Sequence, residues 1–298
     1  MLCAWYQRLS YKDKTYAGRR SKKNKANLKN RRIKLSRPHQ KNFSVQGIII
    51  SRKNFFETDK IISILSKERG IIRCIVRGAR KPSSKLSGST ELFVYGDFFL
   101  AKGKNLDVLT SAKPQEYFEG ETNNLERVSH FFLMSESLDK LMPHEIPNEK
   151  IYNETLSFFK ISEKNSENPS LVYECIYKNL ITLGYGLLLD VCAKCHKKTK
   201  NLESSFLSLS AGGLLCEECA EKDDFQTRLS PQAIKLLKFI EGNNIDRYSK
   251  VQFQENIGTE LAGVITDYLN YIYQREMKSP KFVKEIRQLQ KNSRRSKI

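Results

Sequence analysis

No run of eighteen apolar residues occurs anywhere in this 298-residue chain. A helix crossing the hydrocarbon core of a bilayer needs about twenty, so no membrane-spanning helix is expected. The basic N-terminus is followed by no apolar segment of the kind that makes a secretory signal. There is no Gly-rich phosphate loop ending in Gly-Lys-Ser/Thr, so ATP use is not expected. Cysteine is scarce, seven in all. Four of them fall in metal-ligand spacing, which fits a reducing compartment better than a disulfide framework. Cys74 and Cys175 lie in apolar runs and read as small hydrophobes. Acidic residues are also short, 33 Asp and Glu against 52 Lys and Arg, a net charge of +19.

The distribution of that charge is more telling than its total. Residues 1–42 carry 14 basic and 1 acidic side chain, and residues 43–115 carry 13 and 6. Residues 116–249 reverse the balance, with 15 basic and 21 acidic, and residues 250–298 restore it with 10 and 5. A basic first half and basic end around an acidic middle suggest a polyanionic partner. An anionic membrane surface is the competing partner, but no amphipathic basic stretch with aromatic anchors supports it.

The most specific signal is Cys192-Ala193-Lys194-Cys195, then twenty residues, then Cys216-Glu217-Glu218-Cys219. Two residues between cysteines let both sulfurs of a pair reach one metal from a tight turn. Two such turns complete a tetrahedron, the spacing of a four-thiolate zinc site. Gly212-Gly213 before the second pair permits the sharp turn that it needs. Four thiolates close the shell, whereas catalytic zinc keeps a position open, so the favoured reading is a structural zinc. A pair of redox dithiols, or cysteines without metal, are the alternatives. His196 reads as a surface histidine.

Residues 1–42 form a basic arm with few apolar residues, either a nucleic-acid-binding tail or a solvated extension. From residue 43 the texture is that of strands, at residues 45–51, 59–66, 71–77, 90–100 and 106–112. Five short strands with no strong helix among them point to a small closed barrel of the oligonucleotide-binding (OB) type. Arg73 and Arg77, four apart on one strand, share a face. Arg80, Lys81 and Lys85 follow on a loop with Gly78, Pro82 and serines. Together these five are the candidate nucleic-acid contacts. Phe55, Phe56, Phe93 and Tyr95 are aromatics able to stack on bases, with the core as the favoured place for Phe93 and Tyr95. Beyond Pro114 the apolar period becomes helical. Helices are expected from residue 125 to 141, capped by Asn123 or Asn124, at 151–159, at 171–183, at 232–240 behind Ser230-Pro231, and around 261–272. Residues 284–297 read as a basic tail.

These residues carry a resemblance. Val45-Gln46-Gly47-Ile48-Ile49-Ile50, Glu57-Thr58-Asp59-Lys60-Ile61-Ile62-Ser63-Ile64-Leu65-Ser66, Gly70, Arg77-Gly78-Ala79-Arg80-Lys81 with Ser83, and Glu91-Leu92-Phe93 are followed by Gly184-Tyr185 and the four cysteines. In this order they resemble the bacterial recombination mediator family RecO over roughly residues 43–250. The resemblance implies an α+β protein: an N-terminal five-stranded OB-fold barrel, then a C-terminal helical domain with an inserted four-Cys zinc-binding region. The boundaries expected are a basic extension at 1–42, the barrel at 43–117, helices at 118–190, the zinc-binding region at 191–226, and helices with a basic C-terminal tail at 227–298. It implies a non-enzymatic, cytoplasmic protein of DNA repair that binds single- and double-stranded DNA and anneals complementary strands. With RecR, and often RecF, such a protein loads RecA onto DNA coated with single-strand-binding protein, whose acidic tail is a further contact. The region from Arg73 to Lys85 matches the family's DNA contacts. The basic arm and the long basic C-terminus depart from the family pattern. No membrane or small-molecule partner is implied.

Two other functions remain in view. A zinc-dependent nucleic-acid hydrolase needs an open metal position or clustered carboxylates, and the sequence offers neither; Asp223-Asp224 reads as a solvated loop. A zinc-ribbon protein on structured RNA suits the basic arm alone.

Overall fold

A computed structural model describes residues 42–118, 124–164, 168–198, 205–223 and 226–295. The basic arm, but for Asn42, lies outside the described residues.

Five strands close into a barrel. β1 (Asn42–Phe55) pairs with β2 (Asp59–Ser66) and β4 (Val94–Ala101), and β2 pairs with β3 (Gly70–Val76). β5 (Asp107–Tyr117) runs antiparallel to β4 and meets β3 in parallel, giving the order β1-β2-β3-β5-β4. This is the five-stranded OB-type barrel that the strand count suggested. Val45 and Ile49 of β1, Ile62 and Ile64 of β2, Ile72 and Cys74 of β3, and Phe98 and Leu100 of β4 fill the interior. Ile48, Ile50, Leu65, Ile71 and Tyr95 point the other way and join the core of the helical part. The unbroken run Ile48-Ile49-Ile50 follows from this: both faces of β1 are buried, so alternation disappears.

The sequence expectation of a strand from residue 90 is corrected at one point. Gly88–Thr90 is a 3-10 turn, and β4 begins only at Val94. Phe93 stands between them at φ 64°, the left-handed region that ends an extended strand. Two hydrogen bonds fix it there: its N–H donates to the Ile49 carbonyl, and its carbonyl accepts from Phe118.

The helices are α1 (Leu125–Leu141), α2 (Glu149–Lys164), α3 (Leu171–Thr182), α4 (Glu217–Ala220), α5 (Pro231–Gly242), α6 (Ile245–Tyr248), α7 (Glu255–Tyr273) and α8 (Lys278–Arg295). Asn124 caps α1 by accepting from Arg127 N–H, and Ser230 caps α5 from Ala233 N–H. Between α3 and α5 lies a small sheet of β6 (Ser205–Ser208), β7 (Gly213–Leu215) and β8 (Gln226–Leu229), ordered β7-β6-β8.

The stretch read as a basic tail is helical as far as Arg295. Its apolar Val283 and Ile286 are buried, and it packs along α1. Glu136 of α1 supplies its N-terminal cap. That carboxylate accepts from Lys278 N–H at 3.3 Å, from Ser279 N–H at 2.7 Å and from the Ser279 hydroxyl. An anion at a helix N-terminus meets both the free N–H groups and the dipole. Midway along the helix, Arg287 pairs with Glu126 at 3.0 Å and donates to the Pro169 carbonyl at 2.9 Å. The helix is amphipathic and basic, but its buried apolar stripe faces α1 and not a bilayer.

Aromatic rings join barrel to helices. Phe93 lies 5.4 Å from Phe131, 5.3 Å from Phe132 and 5.8 Å from Phe159, and Phe118 lies 5.5 Å from Phe159. The α1–α2 connection adds a second seam, with Glu145 N–H donating to the Ile71 carbonyl at 3.0 Å. Gly70 makes that seam possible. It sits at φ +65°, and a Cβ there would lie 2.2 Å from the Ile146 carbonyl oxygen. Gly70→Ala should therefore cost at least about 1–3 kcal/mol, measured by denaturant unfolding, without altering the metal content of the protein.

Inside the helical part, Glu174 of α3 is fully buried. One carboxylate oxygen accepts from Asn168 at 3.2 Å and Ser170 at 3.0 Å, and the other has no partner among the described residues. Burial raises its pKa to about 7, against those two hydrogen bonds. Such a carboxyl takes up a proton on folding between its unfolded value of 4.5 and its folded value of about 7. Its protonation supports the fold fully below the lower value, and that support is lost as pH rises through the upper one. Glu174→Gln should flatten the pH dependence of melting between pH 5 and 8, and should gain stability relative to the parent chain at pH 8. At pH 5 the two should differ least.

Candidate metal centre and nucleic-acid interface

The four cysteines come together. Cys192 and Cys195 occupy a turn after α3, Cys216 is the cap residue of α4, and Cys219 lies within that helix. Their sulfurs all lie within 4.8 Å of one another. A tetrahedral zinc with bonds of about 2.3 Å sets sulfur–sulfur edges near 3.8 Å, and Cys195 and Cys216 stand 3.7 Å apart. The donor set and its dimensions therefore fit a metal ion of the four-thiolate kind.

The backbone builds the two turns. Cys192 N–H donates to the Lys197 carbonyl and His196 N–H to the Cys192 carbonyl, both at 2.9 Å, with His196 at φ 60°. Ala220 N–H closes the second turn on the Cys216 carbonyl at 2.9 Å. Gly212 sits at φ +72°, and a Cβ on Gly213 would lie 2.4 Å from the Leu188 carbonyl oxygen. Leu188 brackets this turn, donating to Gly212 and accepting from Leu214. Beneath the sulfurs, Cys192, Leu215 and Ala220 alone among the described residues form the fully buried part of this cluster. So small a core gives the region little independent stability.

The electrostatics make the same demand. Burial works against ionisation of Cys192. Backbone N–H groups of Cys195, Cys216 and Lys194 and the Cys195 thiol act the other way and hold it at about 6, below the usual thiol range. The Cys216 thiol, followed by burial, pushes Cys219 up to about 12. One thiolate is thus accommodated and a second is resisted, and a cation among the sulfurs is what allows all four to ionise. Lys194 and Lys197 pair with Asp223 at 2.8 Å and Glu218 at 3.3 Å at the edge of the cluster.

The five basic candidates do not form one surface. Arg73 lies on the outer face of β3 that it shares with Ile71, the face turned to the helices, and it pairs with Asp139 of α1 at 3.2 Å. It is a strut between barrel and helices. Arg77 falls just past the end of β3. Arg77, Lys81 and Lys85 are exposed on the connection to β4. Arg80 is exposed too, but its guanidinium donates to the carbonyls of Phe56 at 3.3 Å and Glu57 at 2.9 Å, which ties this connection to the β1–β2 turn. Asp59 accepts from Gly78 N–H at 2.8 Å. That bond, with Thr58, Arg77 and Lys81 around it, holds its carboxyl below the ordinary value against desolvation.

At this tip Phe56 is 78% exposed, at φ 48°, with its ring 4.3 Å from that of Phe55. Phe93 and Tyr95 are buried in the junction, as the favoured reading had them. The residues that sequence reasoning missed are Arg52 and Lys53, exposed on the arm of β1 that leads to the tip. Arg52 and Lys60 share Glu91 as a partner, so only Lys53 adds a cation without a carboxylate among the described residues. Strand alternation beyond the β1 bulge at Ile49/Ser51 was the missing signal.

Two family descriptions match the chain: "Recombination protein O N terminal" over residues 41–118 and "Recombination protein O C terminal" over residues 122–281. Among curated proteins, the chain is 28% identical over 251 residues to the DNA repair protein RecO of a Roseiflexus species, covering 84% of this chain and 88% of that one. It is 28% identical to the DNA repair protein RecO of Dehalococcoides mccartyi, covering 82% and 95%. It is 27% identical to that of Clostridium perfringens, covering 81% and 97%.

The metal site carries its own prediction. The purified chain should hold about one divalent metal per molecule by plasma emission spectrometry, and Cys192→Ser should lose it. Limited proteolysis should then cut first within residues 191–223, because metal binding and local folding are one equilibrium there.

Proposed function

The chain belongs to the RecO family, and on that premise we propose that it is a DNA-binding mediator of recombinational repair that performs no bond chemistry. The observation that carries the reading is the tip of the barrel: Phe56 is bare on the β1–β2 turn, Arg80 ties the β3–β4 connection to that turn, and Arg77, Lys81 and Lys85 on the connection and Lys53 on β1 are exposed. Cations along a backbone and a ring for a base are what single-stranded nucleic acid requires. Loops and strand faces of OB barrels commonly supply both.

In this reading the barrel holds one strand while further basic side chains screen the second, so that complementary strands approach and anneal. RecR, and with it RecF, would assist in loading RecA where single-strand-binding protein coats the DNA, and the acidic tail of that protein would be a contact. The four cysteines would hold a structural zinc that shapes residues 191–226 between the helical segments at 118–190 and 227–298. A closed four-thiolate shell offers no open position for a reacting water, which sets the hydrolase reading aside. The place of action would be the bacterial cytoplasm, at the nucleoid; among the described residues no helix is long and apolar enough to cross a membrane. A zinc-ribbon RNA binder would differ by preferring structured RNA in direct competition with single-stranded DNA.

Fluorescence anisotropy of the whole chain with a single-stranded oligonucleotide at several salt concentrations tests the reading. Affinity should fall with salt with a log–log slope of about −0.7 per phosphate contacted. The triple substitution Arg77→Gln, Lys81→Gln, Lys85→Gln should reduce that slope by about 2. Arg73→Gln should leave the slope intact and lower the melting temperature instead. An affinity indifferent to salt would sink the proposal.

A further inference from the structure

We propose that the rim of the barrel at the start of β1 is a second contact surface for single-stranded nucleic acid, separate from the tip at the far end of the same strand. It deepens the nucleic-acid reading above and rests on it.

A groove opens here between the first residues of β1, the β2–β3 turn, the end of β4 and the middle of β5. Two aromatic rings line it, each with a cation held over it. The Arg69 guanidinium stands 4.0 Å from the centre of Phe43, and Lys113 Nζ stands 5.4 Å from the centre of Phe99. Lys102 Nζ also lies 5.4 Å from the centre of Phe43, but it is paired with Asp107 at 3.1 Å and counts for less. Neither Arg69 nor Lys113 has a carboxylate partner among the described residues. Glu68 also lines the groove and opposes an anion, so charge alone does not account for the site.

The pairing does. A long cationic side chain laid over a ring loses its freedom before any ligand arrives, which lowers the cost of ordering it on binding. A guanidinium plane over a ring presents a flat, delocalised surface beside a phosphate-binding charge. Unpaired bases stack on such planes, and on rings, irrespective of sequence. A duplex has its bases already stacked and would draw only on the modest charge. The class favoured is therefore single-stranded.

The helical part borders the rim on one side only, where the α1–α2 connection meets Gly70 and Lys67 pairs with Glu149 at 3.0 Å. The helices bury Ile48, Ile50, Leu65, Ile71 and Tyr95, none of which lines the groove. Phe43 and Phe56 lie at the two ends of β1, up to about 40 Å apart at about 3.3 Å per residue. One barrel would thereby hold two separate stretches of single strand, which is what annealing asks of it.

The test is ultraviolet cross-linking of the whole chain to oligothymidylate carrying 5-iodouracil, with cross-linked peptides identified by mass spectrometry, beside salt titrations of variants. Cross-links should appear on the peptides holding Phe43 or Phe99 as well as on that holding Phe56. Arg69→Gln with Lys113→Gln should reduce the salt slope by about 1.4. Lys113→Gln alone, an exposed change on β5, should reduce it by about 0.7 and serves if loss of Arg69 disturbs the fold. Cross-links confined to the Phe56 peptide, with an unchanged slope in both rim variants, would overturn the second surface while leaving the tip intact. No salt-dependent binding by the unsubstituted chain would overturn the nucleic-acid reading itself, and this proposal with it.

Discussion

The position of Phe93 governs how the two halves of this protein meet. A bulky residue at φ 64° is held against its own preference, and two backbone hydrogen bonds, to Ile49 and from Phe118, over-determine it. The conformation turns the ring out of the barrel and into Phe131, Phe132 and Phe159 of the helices. Edge and tilted ring contacts each contribute about 0.5–1.5 kcal/mol beyond area burial. The aromatic cluster and the Gly70 seam together hold the barrel and the helices as parts of one compact unit.

That junction also decides which basic residues are free. Outward on a barrel strand means toward solvent only where nothing covers the strand. On β3 the outward face at Ile71 and Arg73 meets α1, so Arg73 finds Asp139. Past the end of β3 the same face emerges from under the helix, and Arg77 is exposed. Two arginines that alternation places on one face have different neighbours for this reason. The face was legible, but what covers it is a tertiary fact.

The same distinction explains what else was readable. The cysteine cluster was legible because its chemistry is local: two turns, each needing two residues between sulfurs, with Gly212 and Gly213 at a bend that a Cβ would obstruct. Helix α1 was legible because Asn124 caps it from within its own sequence. Helix α8 was not, because its signals are remote. Its cap is Glu136, more than a hundred residues upstream, and its polar composition conceals an apolar stripe that matters only beside α1. The five barrel strands were found, yet β1 extends beyond its apolar run to Phe55. Those last residues form an arm with β2 and β3 that runs past the end of β4, and its outer positions need no hydrophobicity.

That arm shows why binding falls at the ends of the barrel. A small barrel has little wall to offer once helices cover one flank and hydrophobic side chains fill its interior. What remains exposed is where strands outrun their neighbours: the β1–β2 tip, carrying Phe56, and the rim at Asn42, carrying Phe43. At both places an aromatic ring meets water, which disfavours it: Phe56 almost wholly and Phe43 in part, since Phe43 also packs on the end of the barrel core. The two ends treat that cost differently. The rim covers its ring with Arg69, whereas the tip leaves Phe56 bare beside a backbone-anchored Arg80. An uncovered ring gains more from a stacked base than one already under a cation. The tip should therefore fill first, and the rim should act on the strand that arrives second.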